Sequence, residues 1–221
     1  MQSPLGKIKA TTIEECTMTQ TVTALYDTYN FAVSAVNALE ASGVPHSDIS
    51  IVSNNVDNRY TKDRPTHAAE DVAKGAGIGA AVGGVGGLLT GLGLLAIPGV
   101  GPVVAAGWLV ATAAGAATGA VVGGAAGGLV GSLTGAGVPE RDAQFYAEGV
   151  RRGGTLVTVR VDDARASTAR EILQRYKSVD PVVRGAAYGE SGWTTFNENA
   201  LAYTADQVAA ERARYVGQRG I

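Results

Sequence analysis

Two short glycine motifs are the stretches of this sequence that most resemble a cofactor site. Residues 75–80 (GAGIGA) match the G-x-G-x-x-A pattern that holds the diphosphate of a dinucleotide in a strand–turn–helix unit. A charged helical stretch rather than a strand precedes this motif, and residues 91–96 (GLGLLA) match the pattern equally well. Such repetition is typical of low complexity, and no Gly-Lys-Ser/Thr follows to form a phosphate loop. The sequence therefore predicts no cofactor.

The residues that supply nucleophiles, bases or metal ligands in other proteins are few and dispersed here. Cys16 has no neighbouring base to activate its thiol, and a single cysteine rules out an internal disulfide. His46 and His67 lie in loop-like, proline-containing stretches, where we expect solvated imidazoles rather than metal ligands. The acidic pairs at 14–15 and 162–163 fit a solvated tail and a helix cap. We therefore expect no enzyme: no catalytic residue, no metal site and no small-molecule substrate.

The overall charge also narrows the classes of partner. The 221-residue chain carries a formal net charge of -2, and 46% of its residues are hydrophobic. A near-neutral chain without a basic stripe has no electrostatic basis for binding nucleic acid. Its opening residues lack the apolar run of a secretory signal, so we expect both ends of the chain in the cytoplasm.

The central region is uncharged, and its glycines recur at a spacing of four. No Asp, Glu, Lys, Arg or His occurs from 75 to 139, and the Pro- and Gly-rich stretch 97–102 (IPGVGP) predicts a turn between two helical arms. In lipid, small residues at this spacing let helix backbones approach closely, whereas a soluble core would bury Leu and Ile. The predicted helix-packing positions are Gly75, Gly79, Gly83, Gly87 and Gly91 in the first arm and Gly107, Gly115, Gly119, Gly123, Gly127, Gly131 and Gly135 in the second.

This spacing predicts self-association. Four residues advance a 3.6-residue helix by about 40° beyond a full turn, so the glycine series winds around each arm. Either the two arms coil strongly around each other or, as we favour, each arm contacts several neighbours. We expect a homo-oligomer whose hairpins insert in, or associate with, the inner membrane, with Trp108 at the membrane interface and the folded domain cytoplasmic. Two alternatives stay open: a soluble cytoplasmic particle with packed hairpins in its core, and a sensor that binds a small ligand.

The charged segments on either side of this region predict a split β-α-β domain. The order of elements without the insert is strand-helix-strand twice, which is the order of a ferredoxin-like domain. Strands are predicted at 19–26, 48–53, 155–161 and 181–187, and helices from Asp27 or Thr28 to Ala41, from Pro139 to about Gly153, and from Asp162 or Asp163 to Tyr176.

The predicted fold class is therefore α+β, with a ferredoxin-like domain interrupted between its second and third strands. The predicted segments are an N-terminal tail (1–18), the domain (19–53 and 139–187), a glycine-zipper α-hairpin (71–138) and a C-terminal tail (188–221). Thr204 and Gln207 fit a capping box that opens a short helix in the tail. We expect this tail to dock on the domain through Trp193 and Phe196, with pairing to a neighbouring subunit as the alternative.

Two stretches also resemble a known family. Residues 21–53 (TVTALYDTYNFAVSAVNALEASGVPHSDISIVS) and 137–161 (GVPERDAQFYAEGVRRGGTLVTVRV) resemble the bacterial general stress proteins, a heat-induced, YflT-like family. The similarity covers about residues 19–187. It implies expression linked to stress and a ferredoxin-like domain, and it implies no biochemical activity and no catalytic residues. The uncharged insert is similar to the glycine-zipper hairpins of bacterial membrane-associated proteins.

Overall fold

A five-stranded antiparallel sheet flanked by helices forms the described part of the chain. The computed structural model describes residues 19–59, 93–109 and 128–216, and within them the fold is α+β, with six α-helices. In chain order the elements are β1 (Thr19–Tyr26), α1 (Tyr29–Ala41), β2 (Ile49–Asn54), β3 (Gly93–Ile97), β4 (Gly101–Gly107), α2 (Leu129–Gly135), α3 (Glu140–Arg151), β5 (Thr155–Asp162), α4 (Asp163–Arg175), α5 (Pro181–Glu190) and α6 (Ala205–Val216).

The strand order is β1-β5-β2-β4-β3, and every neighbouring pair is antiparallel. Three of the four predicted strands lie side by side at one end of the sheet as β1, β5 and β2. The fourth prediction, a strand at 181–187, is wrong, because this segment is helix α5. Pro181 occupies the first turn, and the Asp180 carboxylate accepts from the N–H groups of Val182 and Val183 at 2.8 and 3.1 Å. This cap satisfies the helix start locally, and β1 is left at the edge of the sheet.

The prediction of helical arms is also wrong at 93–97 and 101–107, whereas 129–135, in the second predicted arm, is helical as predicted. Residues 93–97 and 101–107 form the β3–β4 hairpin, and the turn between them lies where the IPGVGP stretch predicts it. The register pairs β4 with β2 from Ser50↔Gly107 to Asn54↔Val103. A strand partner distant in sequence thus supplies hydrogen bonds that local glycine spacing does not reveal. The competing helix is weak, because each glycine destabilises a helix by about 1 kcal/mol relative to alanine.

Both faces of the sheet are covered. Helices α1 and α4 pack on one face, where the predicted apolar stripe of α1 is confirmed because its members are fully buried: Ala32, Ala35, Val36 and Leu39. Helices α2, α3 and α5 cover the opposite face, with Phe145, Tyr146 and Val150 of α3 buried as predicted. Among the helices of the described ranges, none combines the length and the apolarity needed to cross a bilayer.

Candidate functional site

An open groove of about 530 Å³ runs along the free edge of β1. Its floor is the strand itself from Thr21 to Ala24. One wall is the start of α3 and the turn before it, and the other is the end of α4 with the loop that leads to α5. The side chains that give the groove its chemistry are Asp142 and Tyr146 on the first wall and Arg170, Leu173 and Val179 on the second.

The backbone of β1 faces this groove at alternate residues. The carbonyl oxygen of Leu25 accepts from Val179 N–H at 2.7 Å, and that of Thr23 accepts from the Tyr146 hydroxyl at 3.2 Å. Because backbone groups of successive strand residues point to opposite sides, Thr19 and Thr21 present theirs in the same direction, away from β5. Among the described residues, nothing on this side pairs with the N–H and C=O of Thr21. Within the described ranges, the groove therefore leaves the backbone groups of Thr21 without a partner, while the carbonyls of Thr23 and Leu25 are already hydrogen-bonded.

Small hydroxyl side chains line the part of the floor that faces α3. The Thr21 hydroxyl donates to the Ala136 carbonyl at 2.6 Å. The Thr23 hydroxyl and that of Thr158, its partner in the β1–β5 register, are buried and have no hydrogen-bond partner within the described ranges. A buried hydroxyl without a partner is unfavourable by about 1–3 kcal/mol. Both hydroxyl oxygens are enclosed by the fold and are not exposed to the groove.

The groove carries an acidic residue on one wall, a basic residue on the other and apolar side chains at its mouth. Asp142 lies on the α3 wall, and Arg170 on the α4 wall donates to the Gln20 side chain. Next to Pro181, at the mouth of the groove, Val182 and Val183 are 82% and 69% exposed. These two valines add a small exposed apolar surface beside the groove.

The Tyr146 hydroxyl acts in the groove as a hydrogen-bond donor. Burial raises the pKa of Tyr146 to about 12, and the negative charge of Asp142 contributes in the same direction. The phenol therefore stays protonated at neutral pH and holds the Thr23 carbonyl. This arrangement supplies no acid–base chemistry at neutral pH.

A second polar cluster joins α3, α5 and α6 and is structural. Arg152 Nε lies 2.6 Å from Glu148 Oε1, and Arg152 Nη1 lies 3.2 Å from Glu211 Oε2 on α6. Burial lowers the pKa of Arg152, but the hydrogen bond and charge of Glu148 outweigh it and leave that pKa raised. Arg184 likewise pairs with Asp27, at 2.7 and 3.1 Å. Because these charges are paired with one another, the cluster offers no vacant charge to a ligand.

This cluster and the aromatic residues around it dock the C-terminal tail, as predicted. Helix α6 begins with the predicted capping box: Thr204 N–H donates to Gln207 Oε1 at 2.9 Å, and Gln207 N–H donates to Thr204 Oγ1 at 3.3 Å. Trp193 and Phe196 pack against the core on the α3 side of the sheet. The tail is part of the folded unit.

The glycines predicted to pack helices fall into two groups. Most of them lie outside the described residues, namely Gly75, Gly79, Gly83, Gly87, Gly91, Gly115, Gly119, Gly123 and Gly127. Cys16 and His67 also lie outside the described residues. Gly107 ends strand β4 with φ of 96°, where an added Cβ would collide with the Ile49 carbonyl oxygen. Its close approach is therefore to a neighbouring strand, which corrects its assignment to a helical arm. Gly131 and Gly135 do lie in a helix, α2, and a Cβ at Gly135 would meet no atom within 4 Å.

Trp108 contacts the protein itself. Its indole N–H donates to the Asp48 carbonyl at 3.1 Å, and the Arg160 guanidinium lies 4.5 Å from its ring centroid. The Arg160 side chain also pairs with Asp48 at 3.1 Å. The proposed position of Trp108 at a membrane interface remains a prediction.

Sequence reasoning did not find the groove. The alternating Thr residues of TQTVTALY predict strand β1 but not its position at the sheet edge, which depends on the helical conformation of 181–190. Within the described ranges, no group of three His, Cys, Asp or Glu side chains is placed to hold a metal ion. No protein-family model, curated protein or solved structure matches the chain.

Proposed function

We propose that this chain is a non-enzymatic interaction protein that binds an extended polypeptide segment along the free edge of β1. The observation that carries the proposal is an edge strand at the bottom of an open groove, where the N–H and C=O of Thr21 have no partner within the described ranges. Segments that add a strand to such an edge gain affinity from main-chain hydrogen bonds and specificity from the pockets for alternate side chains. Five residues of added strand would span about 17 Å, the length of β1 from Thr19 to Thr23.

The lining of the groove defines the segment that fits best. Side chains that face the α3 wall meet Thr21, Thr23 and Asp142, so small hydroxyl residues and a basic residue suit those positions. Side chains that face the α4 wall meet Ala24 and Leu173, so apolar residues suit the positions between. The preferred partner segment thus alternates small polar or basic residues with apolar ones.

The proposal is tested by selecting displayed random heptapeptides on the full chain and measuring the affinity of the selected peptide. Thr21→Pro removes the backbone N–H that faces the groove, and proline is tolerated on an edge strand whose N–H points to solvent. The matched control, Thr21→Val, keeps the N–H. We expect Thr21→Pro to abolish binding and Thr21→Val to retain it, with both folded by circular dichroism. Equal binding by the two variants would refute the edge as the site.

We also propose the self-association expected from the glycine series, because the register of the β3–β4 hairpin supports it. Gly93 pairs with Ala105, two residues before Gly107, so the chain enters β3 and leaves β4 at the same end of the hairpin. The two glycine-spaced segments are therefore joined to the sheet side by side, as two packed arms require. In this proposal the chain is a homo-oligomer associated with the inner membrane during stress.

Replacing Gly119 and Gly123 with leucine tests this second proposal. Leucine raises helix propensity and apolarity, so membrane partition should stay equal or rise, while bulky side chains at contact positions should reduce the size of the assembly. Native mass spectrometry measures the assembly, and carbonate extraction of lysate measures the membrane association. An assembly of unchanged size would show that these glycines are not contact positions. Recovery outside the membrane pellet would favour the particle with packed hairpins instead.

A further inference from the structure

We propose that β3 (Gly93–Ile97) pairs edge to edge with β3 of a second copy of this chain, in an antiparallel register centred on Leu95. β3 is the last strand of the sheet at the end opposite β1, and within the described ranges no strand pairs with its outer side. The contact therefore lies apart from the β1 groove, and it uses none of the glycines that were predicted to pack helices. The inference goes beyond the proposed function and does not require it.

The hydrogen bonds of β4 establish which backbone groups of β3 point outward. The Pro102 carbonyl accepts from the first backbone N–H after β2 at 2.9 Å, so Pro102 faces β2 and its neighbour Val103 faces β3. Val103 is the register partner of Leu95, whose N–H and C=O therefore point toward β4. Because these directions alternate along a strand, Leu94 and Ala96 present theirs at the outer edge. Neither residue has a backbone partner on that side within the described ranges.

The two faces of β3 differ in burial. Leu95 and Ile97 pack against the core on the α3 side of the sheet. Leu94 and Ala96 lie on the other face, where Leu94 is 45% exposed and Ala96 is also exposed. One face of the strand is thus fixed by the core, while its outer edge carries exposed apolar side chains.

The strand lacks the features by which edge strands commonly avoid pairing. Those features are charged side chains, prolines and bulges. The sequence of β3, GLLAI, has no charge and no proline, and its register with β4 runs from end to end without a bulge. The β1 edge differs, because its walls carry Asp142 and Arg170. An uncharged edge of this kind favours an uncharged strand as its partner.

A second copy supplies such a strand with matching side chains. A two-fold axis at Leu95 places this residue opposite itself and places Leu94 opposite Ala96 of the other copy. Each Leu94–Ala96 pair then exchanges both of its N–H···O=C bonds, since both residues direct these groups outward. Gly93 meets Ile97 at each end, so a small residue faces a large one at every position outside the axis. The register uses all the outward groups of Leu94 and Ala96 and opposes no like charges within the paired strands.

The contact is short, so we expect a weak dimer that depends on protein concentration. Five paired residues extend about 17 Å, whereas specific interfaces that are stable alone bury about 1,200 Å² or more. In the joined sheet, β3 lies at the centre and β1 at both outer ends. The dimer therefore presents two β1 grooves, and under the proposed function a partner with two matching segments gains avidity from it.

Disulfide cross-linking of the full chain tests the register. Opposite residues of a non-hydrogen-bonded antiparallel pair have Cα atoms about 4.5 Å apart, within the disulfide range of about 4.4–6.8 Å. In a Cys16→Ser background, the thiol of Leu95→Cys faces its own copy across the axis, whereas that of Ala96→Cys faces Leu94. Leu201→Cys is the control for random collision, because Leu201 lies outside β3 and is 89% exposed.

We expect Leu95→Cys to form the covalent dimer in glutathione buffer about tenfold faster than Ala96→Cys or Leu201→Cys, because pairing holds its thiols at a high effective concentration. Equal rates in the three variants would overturn the inference. A different protein, or another segment of this chain, on the β3 edge would leave the thiol at residue 95 without its counterpart. Slow cross-linking of Leu95→Cys in the purified chain would therefore refute the second copy as the occupant.

A charge placed on the edge tests the pairing independently of the register. Adding Leu94→Lys to Leu95→Cys brings one lysine from each copy to the same face of the contact, and it should slow cross-linking about tenfold. Leu201→Lys adds the same charge elsewhere and should leave the rate unchanged. Circular dichroism checks that each variant is folded. If Leu95→Cys fails to fold, sedimentation velocity compares Leu94→Lys with Leu201→Lys, and equal self-association of these two chains would overturn the inference.

Discussion

Replacing Arg152 with methionine tests whether the buried charge cluster holds the C-terminal helix. The Arg152 and Glu148 side chains are only 7% and 1% exposed, and the cation links α3 to α6 through Glu211. The guanidinium also lies 4.3 Å from the ring centroid of Tyr188. Methionine keeps much of the length and apolar volume of the side chain but leaves the Glu148 carboxylate without its nearest cation.

The expected loss is large. Removing one partner of a buried pair destabilises a protein by about 3–5 kcal/mol, because the other charge stays desolvated. Arg151 Nη1 remains 3.4 Å from Glu148 Oε2, and Arg214 remains 2.7 Å from Glu211, so we place the loss near the lower limit, at about 3 kcal/mol. For a chain of this size, that loss lowers Tm by about 6–12 °C.

Urea unfolding followed by circular dichroism measures this loss. Arg141→Met on the same helix is the control, since Arg141 is exposed and its loss should change stability by less than about 0.5 kcal/mol. Adding Glu148→Gln to Arg152→Met removes the stranded charge and should recover about 1–2 kcal/mol. If Arg152→Met were as stable as Arg141→Met, the cluster would not be desolvated and this reasoning would be wrong.

Three further predictions concern other parts of the fold. Gly107→Ala should lower the free energy of unfolding by about 1–3 kcal/mol in urea melts, because the φ of Gly107 is 96° and the Ile49 carbonyl leaves no room for a Cβ. The control Gly135→Ala should be neutral or stabilising, because a Cβ there meets no atom within 4 Å and alanine favours a helix. A strong loss at Gly135 would reveal a close helix contact there. Tyr146→Phe should lower stability at pH 7 by about 1 kcal/mol through loss of a hydrogen bond. Because folding raises the pKa of Tyr146 from 10.0 to about 12, its contribution to the free energy of unfolding is present below pH 10 and is lost as the pH rises to 12. Urea melts at about pH 9 and 11.5 should therefore show a smaller fall in stability for Tyr146→Phe than for the unmodified chain. An equal fall in the two chains would contradict this pKa argument. Thr204→Ala should cost about 1 kcal/mol and raise amide exchange in the first turn of α6, and unchanged exchange there would show that the capping box is not needed.

The elements that the sequence predicts well are those whose signals are local. Strand β5 alternates and is β-branched, and the α1 stripe repeats at the helical period, so each selects its own conformation. The capping box of α6 is likewise complete within four residues, because both of its hydrogen bonds join Thr204 and Gln207. For these elements, tertiary packing agrees with the local preference and adds burial to it.

Tertiary structure decided the elements whose hydrogen-bond partners are distant in sequence. Residues 93–97 and 103–107 are the ends of the two predicted helical arms next to the turn, but β4 pairs with β2 and β3 pairs with β4, and paired backbone groups outweigh a weak helical preference. The groove also depends on a distant segment, because β1 is an edge strand only if no other strand pairs with its outer side. Residues 181–190, predicted in part as a strand, form a helix capped by Asp180 instead. The sequence alone determines the strand propensity of β1, and only the assembled sheet determines that β1 is an edge strand whose Thr21 backbone groups have no partner within the described ranges.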